Sequence, residues 1–228
     1  MFNPFLNKSN FKNYISNSIE VGYTQYGPTI SIAGNMTAIH KVVFVYNIAL
    51  ELQRKNASGR YQFHWFAFRP HKFNTGGFTG IDFKMPSKFM VSPSEAFNYN
   101  IFFTDHNRYA EMSLFFKKLK KEWEKLIETN ASAASPLNFQ ALFENFVKHD
   151  SVLEALGQLQ KMCYWQKDEY LLKIKIILND QPESLDVEKY FSLTDEDFTN
   201  LQKNVTTIIA DLCKQPNIIY HYACPCLR

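Results

Sequence analysis

The feature that most constrains this chain is a change of hydrophobic rhythm near residue 105. Before it, apolar residues recur at every second position; after it, they recur at every third or fourth. A strand sends successive side chains to opposite faces, whereas a helix returns to one face after three or four residues. The change therefore predicts strands over about Ile19 to Phe103 and helices over about His106 to Trp165. A further strand, a helix and a final strand complete the chain.

In the first part, Ile19, Val21 and Tyr23 share one face of a strand that Gly27-Pro28 breaks. Ile30 and Ile32 continue the alternation up to a turn expected at Gly34-Asn35. In Val42–Leu52 every even position is apolar or aromatic, and the odd positions turn polar at Glu51 and Gln53. That pattern suits a strand covered on both sides at its start and on one side at its end. Asn56-Ala-Ser-Gly59 supplies turn chemistry, and Arg60–Arg69 returns as the second strand of a hairpin. Thr79–Phe83, Phe89–Val91 and Asn98–Phe103 are shorter strand candidates, punctuated by Pro86 and Pro93. This succession of short strands resembles the pattern of an immunoglobulin-type sandwich. The Cys…Trp…Cys spacing of a true immunoglobulin domain is not in the chain.

The helical part is more sharply drawn. Met112, Phe115, Phe116, Leu119, Trp123, Leu126 and Ile127 form one stripe, and Lys117, Lys118, Lys120, Lys121 and Lys125 take the other face with Glu122 and Glu124. Thr104 or Asp105 is placed to cap this helix. Ser135-Pro136 reads as the start of a second helix with Phe139, Leu142, Phe143, Phe146 and Val147 on its apolar side. Asp150 can cap a third that carries Leu153, Leu156, Leu159 and Cys163. Tyr170–Leu178 alternates as a half-buried strand. Thr194-Asp-Glu-Asp197 is a capping-box-like start for a last helix, and Ile218–Ala223 reads as a terminal strand.

The expected fold is therefore α+β: an antiparallel, immunoglobulin-like β-sandwich with a helical insertion at about 106–165 and a C-terminal strand-helix-strand. We expect one domain over 1–228, with a sandwich portion at 19–103, a helical insertion at 104–166 and a completing segment at 167–228. The composition, 46% hydrophobic and 21% charged over 228 residues, is that of a chain with a buried core. The net charge of +3 is too mild for a dedicated duplex-DNA binder, and a basic set dominated by lysine over arginine also argues against nucleic acid as a partner. No run approaches the ~18 apolar residues of a membrane span, and the first residues lack a basic start followed by an apolar stretch. The four cysteines are then expected to be reduced thiols in a cytoplasmic protein without membrane partners.

Five constellations could carry chemistry. His221, Cys224 and Cys226 bring one imidazole and two thiols within six residues, a ligand set suited to zinc, with Cys213 or a distant histidine as a fourth. Tyr61, Phe63 and Trp65 alternate on one face of a strand that ends in Arg69, an aromatic row on which single-stranded bases could stack. Asp82 and Lys84, with Glu51 upstream, have the spacing of a magnesium-dependent hydrolase pair. Asp105, His106 and Arg108 cluster at a strand-to-helix junction, and the Lys117–Lys125 face offers cations, by default to solvent rather than to an anionic partner. Neither Gly-x-Ser-x-Gly, nor a P-loop, nor Gly-x-Gly-x-x-Gly occurs, and Gly76-Gly77-Phe-Thr-Gly80 reads as a loop. The leading expectation is a non-enzymatic interaction or structural protein that binds a protein partner or itself. The alternatives are a zinc-binding protein or metal-dependent hydrolase, and a single-stranded nucleic-acid binder.

Overall fold

The computed structural model describes residues 11–69, 84–131, 138–178 and 184–228, together with the backbone of two short strands at 73–75 and 78–80. The strands are β1 (Phe11–Thr24), β2 (Gly27–Ala38), β3 (Val43–Arg54), β4 (Arg60–Phe68), β5 (Phe73–Thr75), β6 (Phe78–Gly80), β7 (Phe89–Val91), β8 (Phe97–Thr104), β9 (Asp168–Leu178), β10 (Ser184–Leu193) and β11 (Tyr222–Ala223). The helices are α1 (His106–Ala131), α2 (Phe139–Phe146), α3 (Asp150–Met162) and α4 (Asp195–Leu212). The fold is α+β and dominated by antiparallel sheet. No helix among the described residues is long and apolar enough to cross a membrane.

Nine strands join in one sheet, in the order β10-β9-β3-β4-β8-β2-β1-β11 with β7 beside β3, and the sheet curls into a half-barrel. The described strands thus do not separate into the two facing sheets of an immunoglobulin-like sandwich. The reason lies in the pairing: β9 docks along the free edge of β3, and β8 bridges β4 and β2, so the ladder is unbroken. β5 and β6 form a separate hairpin.

Three local details depart from the alternation. Gly34-Asn35 is not a turn but lies inside β2, paired with Tyr99 and Asn98 of β8. A Cβ at Gly34 would come closer than 3.0 Å to the Tyr14 carbonyl and the Tyr99 hydroxyl, so glycine here permits a close approach. The turn falls instead at Gln25-Tyr26, and Gly27 follows it with φ +84°. In β3 a register shift between Val45 and Asn47 inverts the facing: Val43 and Val45 are buried before it, and Ile48, Leu50 and Leu52 after it. The third departure is β10, an unexpected strand that pairs with β9 along its whole length.

The concave side of the sheet holds the core. Val21, Ile30, Phe103, Trp65, Leu50 and Ile174 come from six neighbouring strands and are all buried. The opposite face of β4, β3, β9 and β10 is polar; Gln62 and Arg60 reach Glu51, and Lys173 pairs with Glu188. The helices cover one end. Trp165, fully buried just past α3, donates its Nε1 hydrogen to the Gly22 carbonyl at 2.8 Å, and the Tyr23 hydroxyl donates to the Leu159 carbonyl at 2.7 Å.

The last residues seal the seam between the outer strands. Val21 and Gly22 pair with Ala223 and Tyr222, and the Leu227 amide donates to the Asn17 carbonyl at 2.7 Å. Arg228 and Tyr190 then exchange two backbone hydrogen bonds, 2.8 and 3.0 Å long. The tail therefore touches β1 on one side and β10 on the other, blunting two edges that would otherwise invite pairing.

Candidate interaction surface

The helical layer owes its shape to its caps. Asp105 Oδ1 accepts from the Asn107 and Arg108 amides and starts α1. Asn138 Oδ1 accepts from the Ala141 amide, so α2 begins at Phe139; the expected start at Ser135-Pro136 lies outside the described residues. His149, not Asp150, precedes α3, which leaves Asp150 in the first turn, where a carboxylate suits the helix dipole. Thr194 and Asp197 form the expected capping box on α4. Trp123 of α1 packs against Phe146 of α2 with ring centroids 5.2 Å apart, and Glu122 accepts a hydrogen bond from Ser151.

Beyond α4 the chain does not run on as a strand from Ile218. Lys214 and Asn217 take left-handed backbone angles (φ 53° and 59°) and fold residues 214–219 back over the helix end. The buried Asn204 side chain accepts from the His221 amide and donates to the His221 carbonyl, and so takes both backbone groups that a ladder would need. Tyr220 donates to Asp211 at 2.6 Å, and the strand is confined to Tyr222–Ala223.

This return leaves a cavity of about 650 Å³ between α2, α3, α4 and the 214–219 turn. Phe143, Val147, Leu156, Ile209, Ala210 and Ile219 line it, with Thr206, Thr207 and Gln215 as polar members. Ile219 is 71% exposed at its mouth. Phe139 and Leu153, each 53% exposed, lie one helical turn before the lining residues Phe143 and Leu156. Ile219 is thus a largely exposed apolar side chain on the cavity lining, and Phe139 and Leu153 are exposed on the helix faces that supply Phe143 and Leu156 to it.

The residues singled out from sequence fall elsewhere. Phe63 is wholly buried and Trp65 is 8% exposed, so the row on β4 faces the core and cannot stack bases. Its aromatic partners are internal: Tyr61 stacks on Tyr164 at 3.8 Å, and Phe63 lies 6.1 Å from Trp165. Arg69 is paired with Glu20 and lies over the Tyr222 ring. Cys224 and Cys226 are exposed on the tail, whereas Cys213 is buried at the end of α4. Among the described residues, no three His, Cys, Asp or Glu side chains gather to hold a metal ion, so His221, Cys224 and Cys226 do not converge as a zinc site. Asp82 and Gly76-Gly77 lie outside the described residues, and Lys84 is an exposed bridge partner of Phe68. Next to the Asp105 cap, His106 lies near His64, with ring centroids 6.0 Å apart, and Arg108 pairs with Glu111.

Sequence reasoning missed the cavity. One signal was present: Ile218 and Ile219 are adjacent, and a half-buried strand has room for only one of two neighbours on its inner face. No known protein family, no curated protein and no solved structure matches this chain.

Proposed function

We propose that the chain is a non-enzymatic interaction protein that associates with a second copy of itself through the cavity mouth. The observation that carries this reading is an apolar hollow and an exposed apolar side chain on one patch. The same patch holds a concave apolar space and, at its rim, the largely exposed Ile219 side chain. In a two-fold pair each surface meets itself, so each Ile219 enters the cavity of the other copy while Phe139 and Leu153 flank the contact. Apolar area leaves water on both sides at once, which is the main driving force for such association.

Sedimentation velocity over a range of concentrations tests this. The expected result is a concentration-dependent rise from one copy to two, abolished in Ile219→Asp, with the variant's circular dichroism melt matching that of the unchanged chain at a concentration where the latter is a single copy. A chain that sediments as one copy at every concentration overturns the second copy as occupant. An association that survives Ile219→Asp overturns the assigned surface.

A further inference from the structure

Helix α1 is 26 residues long and buries Met112, Phe116, Leu119 and Trp123. These lie on one side, and the opposite side carries Lys117, Lys121 and Lys125, four residues apart, with Lys118 beside them; all four are exposed. Residues four apart on a helix stand about 6 Å from one another along its axis. Among the described residues none of these four lysines forms an ion pair. The ion pairs made on α1 are Arg108 with Glu111 and Lys120 with Glu124, and Glu122 is held by Ser151. Glu128 stands beyond Lys125 at the end of the row.

Like charges four residues apart oppose helix formation, whereas a Glu four residues ahead of a Lys supports it. The outer face of α1 uses the unfavourable arrangement twice in succession, Lys117–Lys121 and Lys121–Lys125. Such a row is relieved when an anion with regularly spaced charges lies along it. We infer that this row binds the phosphodiester backbone of a nucleic acid, without reading its sequence. Lysines act on phosphate as point charges, and no exposed aromatic ring lies in the row to stack a base. A lipid surface fits less well. A helix that lies in a membrane interface needs a broad free apolar face, and that face of α1 is spent on the core, leaving Leu114 as its one largely exposed apolar side chain. The whole-chain charge of +3 conceals the row because it averages over acidic segments such as Asp195-Glu-Asp197.

The test is fluorescence anisotropy of the full chain with a labelled 20-nucleotide oligo-dT and a 20-base-pair duplex, between 50 and 200 mM NaCl, alongside co-sedimentation with phosphatidylserine-containing vesicles. Four phosphate contacts predict a slope of log affinity against log salt of about −3.6 for the duplex and about −2.8 for the single strand. The duplex affinity then falls roughly a hundredfold across that range. The variant Lys117→Gln/Lys121→Gln/Lys125→Gln is expected to flatten the slope by about 2–3. A control with the same charge loss, Lys12→Gln/Lys175→Gln/Lys203→Gln, is expected to leave it unchanged. The inference is overturned by no binding at 50 mM salt, by equal losses in both variants, or by binding to vesicles but not to oligonucleotides.

Discussion

The concave side of the sheet is filled by interlocked side chains, whereas the helical layer carries an open groove. The pocket bounded by Ile32, Ile48, Ile101 and Ile176 inside the half-barrel leaves about 10 Å³ free, and the helices leave about 650 Å³ beside Ile209 and Ile219. Side chains on adjacent strands are held in register by the ladder, so neighbours fill one another's gaps. Helices α2, α3 and α4 meet only through side chains and caps, and their spacing is set by rings such as Phe146 against Trp123. The lesson is a division of labour. The sheet supplies an interlocked core, and the helical layer carries the open groove on which the proposed self-association rests.

Truncation on the two sides should break this comparison if it is wrong. Phe63 is fully buried between Trp165 and Tyr164, so Phe63→Ala is expected to cost about 3–5 kcal/mol in urea denaturation. Ile219→Ala, at the cavity mouth, is expected to change stability by less than about 0.5 kcal/mol when both proteins are compared at a concentration where the chain is a single copy. Equal losses at both positions would mean that the helical layer is as tightly interlocked as the sheet.

What could be read in advance follows the same division. The α1 stripe is buried as its spacing demands, and the Thr194–Asp197 capping box forms, because helix signals are local. Strand signals failed where the ladder is irregular, as in β3, or where the alternation itself is interrupted, as in β10. The phase of β3 inverts at Val45/Asn47, and Lys189 interrupts the alternation of Leu185, Val187, Phe191 and Leu193 that would have revealed β10. Sheet connectivity escaped for a different reason: whether β9 joins β3 or a second sheet depends on contacts more than a hundred residues apart. The cavity is the extreme case, a space between three helices and a returning turn that no single segment encodes.

Two glycines sharpen the contrast. Gly34 in the sheet has no room for a methyl group, whereas a Cβ at Gly157 in α3 would meet nothing within 4 Å. Gly34→Ala is therefore expected to destabilise by about 1–3 kcal/mol, and Gly34→Ala/Tyr99→Phe is expected to bring little recovery, because the Tyr14 carbonyl and the ring Cζ of residue 99 stay closer than 3.0 Å. Gly157→Ala is expected to stabilise by about 0.5–1 kcal/mol through better helix propensity. A loss at Gly157 would show that α3 needs its flexibility.

The smallest perturbation is a chemical probe of how far the helical layer opens. Cys163 and Cys213 end α3 and α4, and burial pushes both thiols up from 9.0 to about 12. Both buried thiols are thus kept protonated at pH 8, so native protein should show two reactive thiols with a disulfide reagent, the exposed Cys226 and the exposed Cys224, the latter slowed because partial desolvation raises it as well. All four should react in denaturant. Burial likewise raises Tyr170 to about 12, and raises Tyr23, Tyr99 and Tyr164 in the same direction. In each case the folded value lies above the unfolded one. As pH climbs past about 9 the unfolded chain loses protons first, so the stability these groups contribute is present below that pH and falls progressively above it. If Cys213 labels quickly at pH 8 while Cys163 does not, α4 opens locally at its cavity end. The free space would then be a place where the fold breathes, and Ile219→Asp should change the Cys213 labelling rate without moving the urea midpoint when both are measured at a concentration where the chain is a single copy.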